Sequence, residues 1–243
     1  MELAVRAARV GNRILSYIAF VMILLMLCYG GYSLWDSYMI NRGAFITSDL
    51  LKYKPTGSDG GENYSLEELM LINEDVRGWL TIDDTHIDYP VVQGKDDMEY
   101  INTDVFGEFA LSGSIFLSCL NKADFTDSYN LIYGHHMDNG GMFGDVMEFT
   151  DEAYFQSHQT GTLYLPHKNF GITLFAVMEV DAYDRLIYAP GEGCKMQELL
   201  DYLKMSSTHY REIGVTAEDQ IVGLSTCVDA QTNGRVVVFG RLE

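Results

Sequence analysis

The C-terminal stretch reads Ile221-Val222-Gly223-Leu224-Ser225-Thr226-Cys227, then a polar turn from Asp229 to Gly234, then Arg235-Val236-Val237-Val238-Phe239-Gly240-Arg241. Two apolar runs joined by a short polar connection form a hairpin, with the cysteine at the exit of the first strand and the arginine at the start of the second. Strand pairing then folds positions 227 and 235 toward each other, so a thiol and a guanidinium share one end of a sheet. A thiol attacks a carbonyl only as its thiolate, which requires a base or a cation nearby. The oxyanion formed in such an attack requires positive charge or N–H donors. Arg235 can serve the oxyanion, but a guanidinium stays protonated and cannot be the base.

A histidine must supply the proton chemistry, and six are present: His86, His135, His136, His158, His167 and His209. Of these, His135 and His136 sit where an apolar strand gives way to a glycine-rich turn, in Leu131-Ile132-Tyr133-Gly134-His135-His136-Met137-Asp138-Asn139-Gly140-Gly141. Neighbouring side chains in an extended segment point to opposite faces, so at most one of the pair faces the cysteine and joint chelation of a metal is awkward. Spacing alone leaves open which one. Taken singly, a cysteine in a β protein is more often a small core residue than a nucleophile. A strand-start arginine is usually solvated, and a histidine pair in a loop usually lies at the surface.

The elements that must hold these groups are mostly strands. Short apolar or alternating runs bounded by Gly, Asn and Asp occur at Trp79–Ile82, Tyr89–Gln93, Ser114–Leu117, Leu131–Tyr133, Thr162–Leu165, Ile172–Val180, Ile221–Ser225 and Val236–Arg241. Eight strands at such spacing predict a closed barrel or a sandwich. Ser65-Leu66-Glu67-Glu68 has the form of a capping box, with Ser65 the cap of a short helix carrying Leu66, Leu69, Met70 and Ile72. Helical periodicity returns in Met196, Leu199, Leu200 and Leu203, and more weakly from Met142 to Phe149.

The apolar run Ile14–Tyr32 holds no charged residue and follows Arg6, Arg9 and Arg13, the pattern of a spanning helix with its N-terminus in the cytoplasm. The expected organisation is a cytoplasmic N-terminus over 1–13, a transmembrane anchor over 14–32, a stalk over 33–63 broken by Pro55-Thr56-Gly57-Ser58-Asp59-Gly60-Gly61, and an extracellular domain over 64–243. A cleaved signal peptide competes with the anchor, since Gly30, Gly31 and Ser33 are small. A lipoprotein signal ending at Cys28 is disfavoured by the bulk of Leu27. Beyond Tyr32 the chain carries 13 basic and 34 acidic residues, a net of −21, which disfavours nucleic-acid binding. The cysteines at 28, 119, 194 and 227 form neither a metal site nor a dense disulfide framework. A Cys119–Cys194 bridge stays open, and Cys227 is left for chemistry. No EF-hand loop or HExxH motif occurs, so no cofactor and no metal is expected.

Together the motifs are more specific than any one of them. Leu224-Ser225-Thr226-Cys227 with Arg235 eight positions later, preceded by Tyr133-Gly134-His135-His136-Met137 and Met142-Phe143-Gly144, resembles the sortase family, most closely its class B. The resemblance extends over Trp79-Leu80-Thr81-Ile82, Ile87-Asp88-Tyr89-Pro90-Val91-Val92-Gln93 and Gly113-Ser114-Ile115-Phe116-Leu117. It departs at Val228-Asp229, which follow the cysteine, and at Cys119, both of which bear on pocket shape and substrate choice.

The resemblance implies a mainly β fold, a closed eight-stranded barrel with peripheral helices, held outside a Gram-positive cell by one N-terminal helix. It implies Cys227 as nucleophile, His135 as acid and base, and Arg235 as the oxyanion-side cation, with a backbone N–H near Val228 assisting. Leu224, Ser225, Thr226 and Val228 are then expected beside the substrate. The implied reaction cleaves the C-terminal sorting signal of a secreted protein after threonine. The acyl group passes to an amine of a peptidoglycan precursor or of a pilin. The alternatives are a cysteine peptidase that hydrolyses the same bond and a noncatalytic extracellular binding module.

Overall fold

A computed structural model of the chain describes residues 1–41, 43–57, 61–227 and 233–243, with the side chains of Ile40, Glu192 and Cys227 excepted. It divides into two compact units, Met1–Asn41 and Arg42–Glu243. The first is one helix, α1, Glu2–Asn41. Its long run without a helix breaker carries aliphatic side chains all round, and it is long and apolar enough to cross a membrane. The helix continues past Tyr32. Residues 48–51 form a short helix, α2 (Ser48–Leu51), and Ala44, Leu50 and Tyr53 are buried among core residues of the second unit. The folded domain therefore begins about twenty residues before the predicted boundary at 64, because these apolar side chains have a surface to cover.

The second unit begins its sheet after helix α3, Tyr64–Ile72. This helix starts two residues earlier than the capping box predicts: Asn63 occupies the cap position and Ser65 falls in the first turn. The Asn63 amide is engaged elsewhere, donating to the Leu165 carbonyl at 2.5 Å and to Asn169 at 2.7 Å, so tertiary contacts override the local signal. Strands follow at β1 Val76–Ile82, β2 Asp88–Val92, β3 Ile115–Leu117 and β4 Tyr129–Tyr133. After a 3₁₀ turn at Gly144–Thr150 and helix α4 (Glu152–Ser157) come β5 Thr160–Leu165 and β6 Lys168–Asp181. Helix α5 (Met196–Ser206), a two-residue β7 (His209–Tyr210), β8 Gln220–Cys227 and β9 Gly234–Leu242 complete the chain. All eight predicted strands are present, and β7 is an addition too short to carry a period-two signal.

The order β5-β1-β2-β3-β4-β8-β9-β6 closes on itself through β5–β6 pairing, giving an eight-stranded barrel to which β7 adds at β6. Two pairs are parallel, β2 with β3 and β4 with β8, and each requires a long crossover. Side chains alternate across the barrel wall. Val222, Leu224, Val236 and Val238 fill the interior, whereas Ile221, Val237 and Phe239 form an outer layer with Met196, Leu199, Leu200 and Leu203 of α5. On another side, Leu66 and Leu69 of α3 cover Val76, Trp79, Val92 and Phe116. Strands buried on both faces read as continuous apolar runs, which is why Val236-Val237-Val238 shows no alternation.

Several tyrosines are buried around this core. Burial pushes the phenols of Tyr89, Tyr100 and Tyr154 up to about 12. In the unfolded chain these groups ionise near 10, so the fold holds them neutral. The stability this contributes is present below pH 10 and is lost as pH rises from 10 toward 12. Tyrosinate absorbance followed alongside far-ultraviolet circular dichroism is expected to show a fraction of the tyrosines ionising only as the barrel unfolds. Complete titration near pH 10 with the fold intact would contradict this.

Candidate active site

The site is built at one end of β4 and β8. Because these strands are parallel, with Tyr133 opposite Ser225, both chains leave the barrel at the same end. The ladder runs one step further: the Gly134 N–H donates to the Ser225 carbonyl at 3.1 Å, and the Thr226 hydroxyl donates to the Gly134 carbonyl at 3.0 Å. A Cβ at Gly134 would stand 2.5 Å from Ile115 Cδ1 and 2.7 Å from the Phe143 ring, so only glycine lets the chain turn there. His135 is thereby delivered beside the end of β8. On the other side of β8, the antiparallel register with β9 sets Cys227 opposite Arg235.

His135 is half-buried, and its Nε2 lies 2.7 Å from the carbonyl oxygen of Ile101. A carbonyl only accepts, so Nε2 carries a proton and Nδ1 is the ring atom left to exchange one. Ile101 belongs to the β2–β3 crossover, and its carbonyl is backed by Gly113, whose φ is +59° and whose Cβ would approach that oxygen to 2.3 Å. The His135 carbonyl accepts from the Phe143 N–H at 3.0 Å, fixing the far end of the loop.

The two adjacent histidines line different spaces. His135 lines a cavity of about 320 Å³ together with Arg235, Ser225 and Thr226. His136 lines a separate polar cavity with His86 and Asp145, and its Nε2 is 3.3 Å from Asp138. The remaining histidines are engaged elsewhere: His158 stacks on Tyr154, His209 bonds the Thr150 carbonyl, and His167 meets Glu62 and Glu67. Ligand atoms of Glu62, Glu67 and His167 lie within 4.8 Å of one another on an exposed surface.

Arg235 is half-buried and donates through Nη1 to the Gly234 carbonyl at 2.9 Å. Ser225 and Thr226 line the cavity, with the Ser225 hydroxyl 3.0 Å from that of Tyr188. Leu224 does not. It is 1% exposed and points into the barrel interior with Val222, so its expected place beside the substrate is corrected to the core. Val228, and with it the expected backbone donor, lies outside the described residues. Cys119 and Cys194 are free thiols.

The rest of the cavity wall comes from Asp97, Ile101, Phe116, Tyr133, Gly134, Ala182 and Tyr188, none of them among the site residues expected from the sequence. Tyr133 stacks on Tyr188 with ring centres 6.3 Å apart and nearly parallel planes, and Phe116 approaches Tyr133 at 5.3 Å. Burial, followed by the negative charge of Asp97, pushes the Tyr133 phenol well above its ordinary range. Tyr133 was legible as part of the Tyr-Gly-His motif. Asp97 and Tyr188 lie in irregular segments with no periodicity to mark them.

The Leu224 assignment carries a direct test. Leu224→Ala is expected to lower unfolding free energy by about 2–5 kcal/mol, read by denaturant unfolding of the full chain in detergent, with KM for substrate unchanged in the folded fraction. A normal midpoint with an altered KM would return Leu224 to the substrate side.

No protein-family model matches the chain. Over 195 residues it is 35% identical to sortase B of Listeria monocytogenes, covering 77% of each. The fold superposes on a Streptococcus pyogenes class B sortase involved in pilus biogenesis with TM-score 0.67 and 43% identity, covering 73% of this chain and 97% of that one. It also superposes on sortase B from the type II pilus of Streptococcus pneumoniae with TM-score 0.62 and 40% identity, covering 72% and 96%. The barrel and these relatives agree: the chain belongs to the class B sortases, the cysteine transpeptidases that join proteins bearing sorting signals to amine acceptors.

Proposed function

We propose that this sortase cleaves a C-terminal sorting signal after threonine, holds the acyl group as a thioester on Cys227 and passes it to a primary amine. The observation that carries this reading is the register at the barrel end, with His135 following β4 where it runs parallel to β8, and Cys227 opposite Arg235. In the proposed sequence the Cys227 thiolate attacks the threonine carbonyl carbon, and the C–N bond breaks as imidazolium Nδ1 of His135 protonates the leaving amine. An incoming amine then attacks the thioester, gives its proton to the neutral imidazole and releases the thiolate. One residue thus serves as acid and then as base. The Ile101 carbonyl holds the ring by Nε2 throughout. Arg235 balances the negative oxygen of both tetrahedral intermediates.

The acceptor follows the relatives named above. The two structures tied to pili share 43% and 40% identity with this chain, which supports a lysine of a pilin subunit over a peptidoglycan amine. The helix Glu2–Asn41 would anchor the enzyme, and Arg6, Arg9 and Arg13 support a cytoplasmic N-terminus with the barrel outside the cell.

Intact-protein mass spectrometry with a threonine-containing sorting peptide tests the reading. Wild type is expected to accumulate an acyl adduct that an added lysine peptide discharges as a ligated product, and Cys227→Ala to give neither. Arg235→Ala is expected to lose about 100 to 1,000-fold in kcat/KM, and His135→Ala about 100 to 10,000-fold. His136→Ala is expected to stay within a few-fold of wild type. Release of free acid as the sole product with amine present would replace transfer by hydrolysis.

A further inference from the structure

The run Ile87-Asp88-Tyr89-Pro90 holds a residue to which the reaction above gives no work. Tyr89 sits in β2 opposite Leu80 of β1, and its side chain is buried. The hydroxyl donates to the Ala44 carbonyl at 2.7 Å and accepts the Met142 N–H at 2.9 Å. The same N–H reaches the Ala44 carbonyl at 3.2 Å, so the three groups close a triangle inside the core. Burial pushes the Tyr89 phenol up to about 12, and at neutral pH it keeps the proton that it donates. Ala44 is itself fully buried, and a Cβ at Gly141 would stand 2.6 Å from its carbonyl oxygen.

Met142 has a φ of +53°, a left-handed conformation that strains a residue bearing a side chain and persists only where its surroundings over-determine it. The triangle supplies that determination. What it holds is the far end of the histidine loop. The next residue, Phe143, donates its N–H to the His135 carbonyl at 3.0 Å, and its ring closes the space above Gly134. A second brace lies close by in sequence: the Asp145 carboxylate accepts the N–H of His86, three residues before Tyr89, at 2.7 Å. The loop that follows His135 is thus fastened to the β2 side of the barrel, and a strand of a closed sheet is a rigid support. We propose that Tyr89 is a positioning residue: through Met142 and Phe143 it fixes the backbone of His135, keeping Nε2 on the Ile101 carbonyl and leaving Nδ1 for proton transfer. This rests on the reading of His135 as acid and base.

The test uses the full chain in detergent, with turnover of a threonine-containing sorting peptide followed by mass spectrometry. Tyr89→Phe removes the hydroxyl and leaves the ring in its packing. It is expected to lower kcat by about 10 to 100-fold, with KM within about two-fold of wild type. Gly141→Ala crowds the Ala44 carbonyl from the loop side and is expected to give the same split. The double variant is expected to lose little beyond the larger single loss, because both changes act on one triangle. In chain labelled with ¹⁵N-histidine, the neutral ring of His135 is expected to give the signal of the Nε2–H tautomer in wild type and of mixed tautomers in Tyr89→Phe. Leu69→Ala, a buried change on α3, is expected to lower the thermal midpoint while leaving kcat and the tautomer signal of the folded fraction unchanged. Wild-type kcat in Tyr89→Phe, or a loss of kcat with the His135 tautomer unmoved, would overturn the positioning role and leave the reaction in place. The same loss of kcat in Leu69→Ala would reduce the effect to stability and overturn it too. Full activity in His135→Ala would overturn the reading on which it rests.

Discussion

Everything at the site depends on the parallel pairing of β4 with β8. An antiparallel neighbour would send the chain after Tyr133 to the opposite end of the barrel from Cys227, and no loop of modest length would return it. Parallel pairing makes the two strands exit together, and a parallel pair cannot be closed by a tight turn. The cost is a crossover of more than eighty residues from the end of β4 to the start of β8, into which the fold places β5, β6, both short helical segments after His135, and α5. The hairpin of β8 with β9 is local by comparison and needs only strand pairing to set Cys227 opposite Arg235.

That contrast explains what could be read from the sequence. The β8–β9 hairpin was legible because both of its strands and its turn are contiguous. The eight strands were legible as apolar runs, and the helix around Leu199 by its period. The long-range pairing was not: nothing in Tyr129–Tyr133 states that its neighbour is Ile221–Ser225, so the choice between His135 and His136 could be made only by resemblance. In the structure Gly134 extends the ladder by one residue, and alternation then turns His136 toward His86 and Asp145. Leu224 was misread because a run buried on both faces hides which side each residue takes. The packing that begins before residue 64 was not legible because Ala44, Leu50 and Tyr53 are too sparse to show a period, although each is buried.

The histidine is positioned by backbone more than by side chains. A carbonyl from the β2–β3 crossover fixes one ring nitrogen, and that carbonyl is in turn crowded by Gly113 in a conformation L side chains rarely adopt. The arrangement differs from a carboxylate partner in one respect that matters for the chemistry. A carboxylate would stabilise imidazolium strongly and resist its deprotonation, whereas a neutral carbonyl orients the ring with less bias between its charged and neutral forms. The acid-then-base role proposed for His135 is served by that weaker bias.

The same economy applies to the cavity as a whole. Among the described residues its lining carries one guanidinium and one carboxylate, at Arg235 and Asp97, together with aromatic rings. Opposite charges in a low-dielectric pocket act at longer reach than at an exposed surface. The sign of the outer surface favours approach by positively charged segments, since the chain beyond Tyr32 carries a net of −21. Charge at long range thus favours encounter with cationic peptides without distinguishing their sequence.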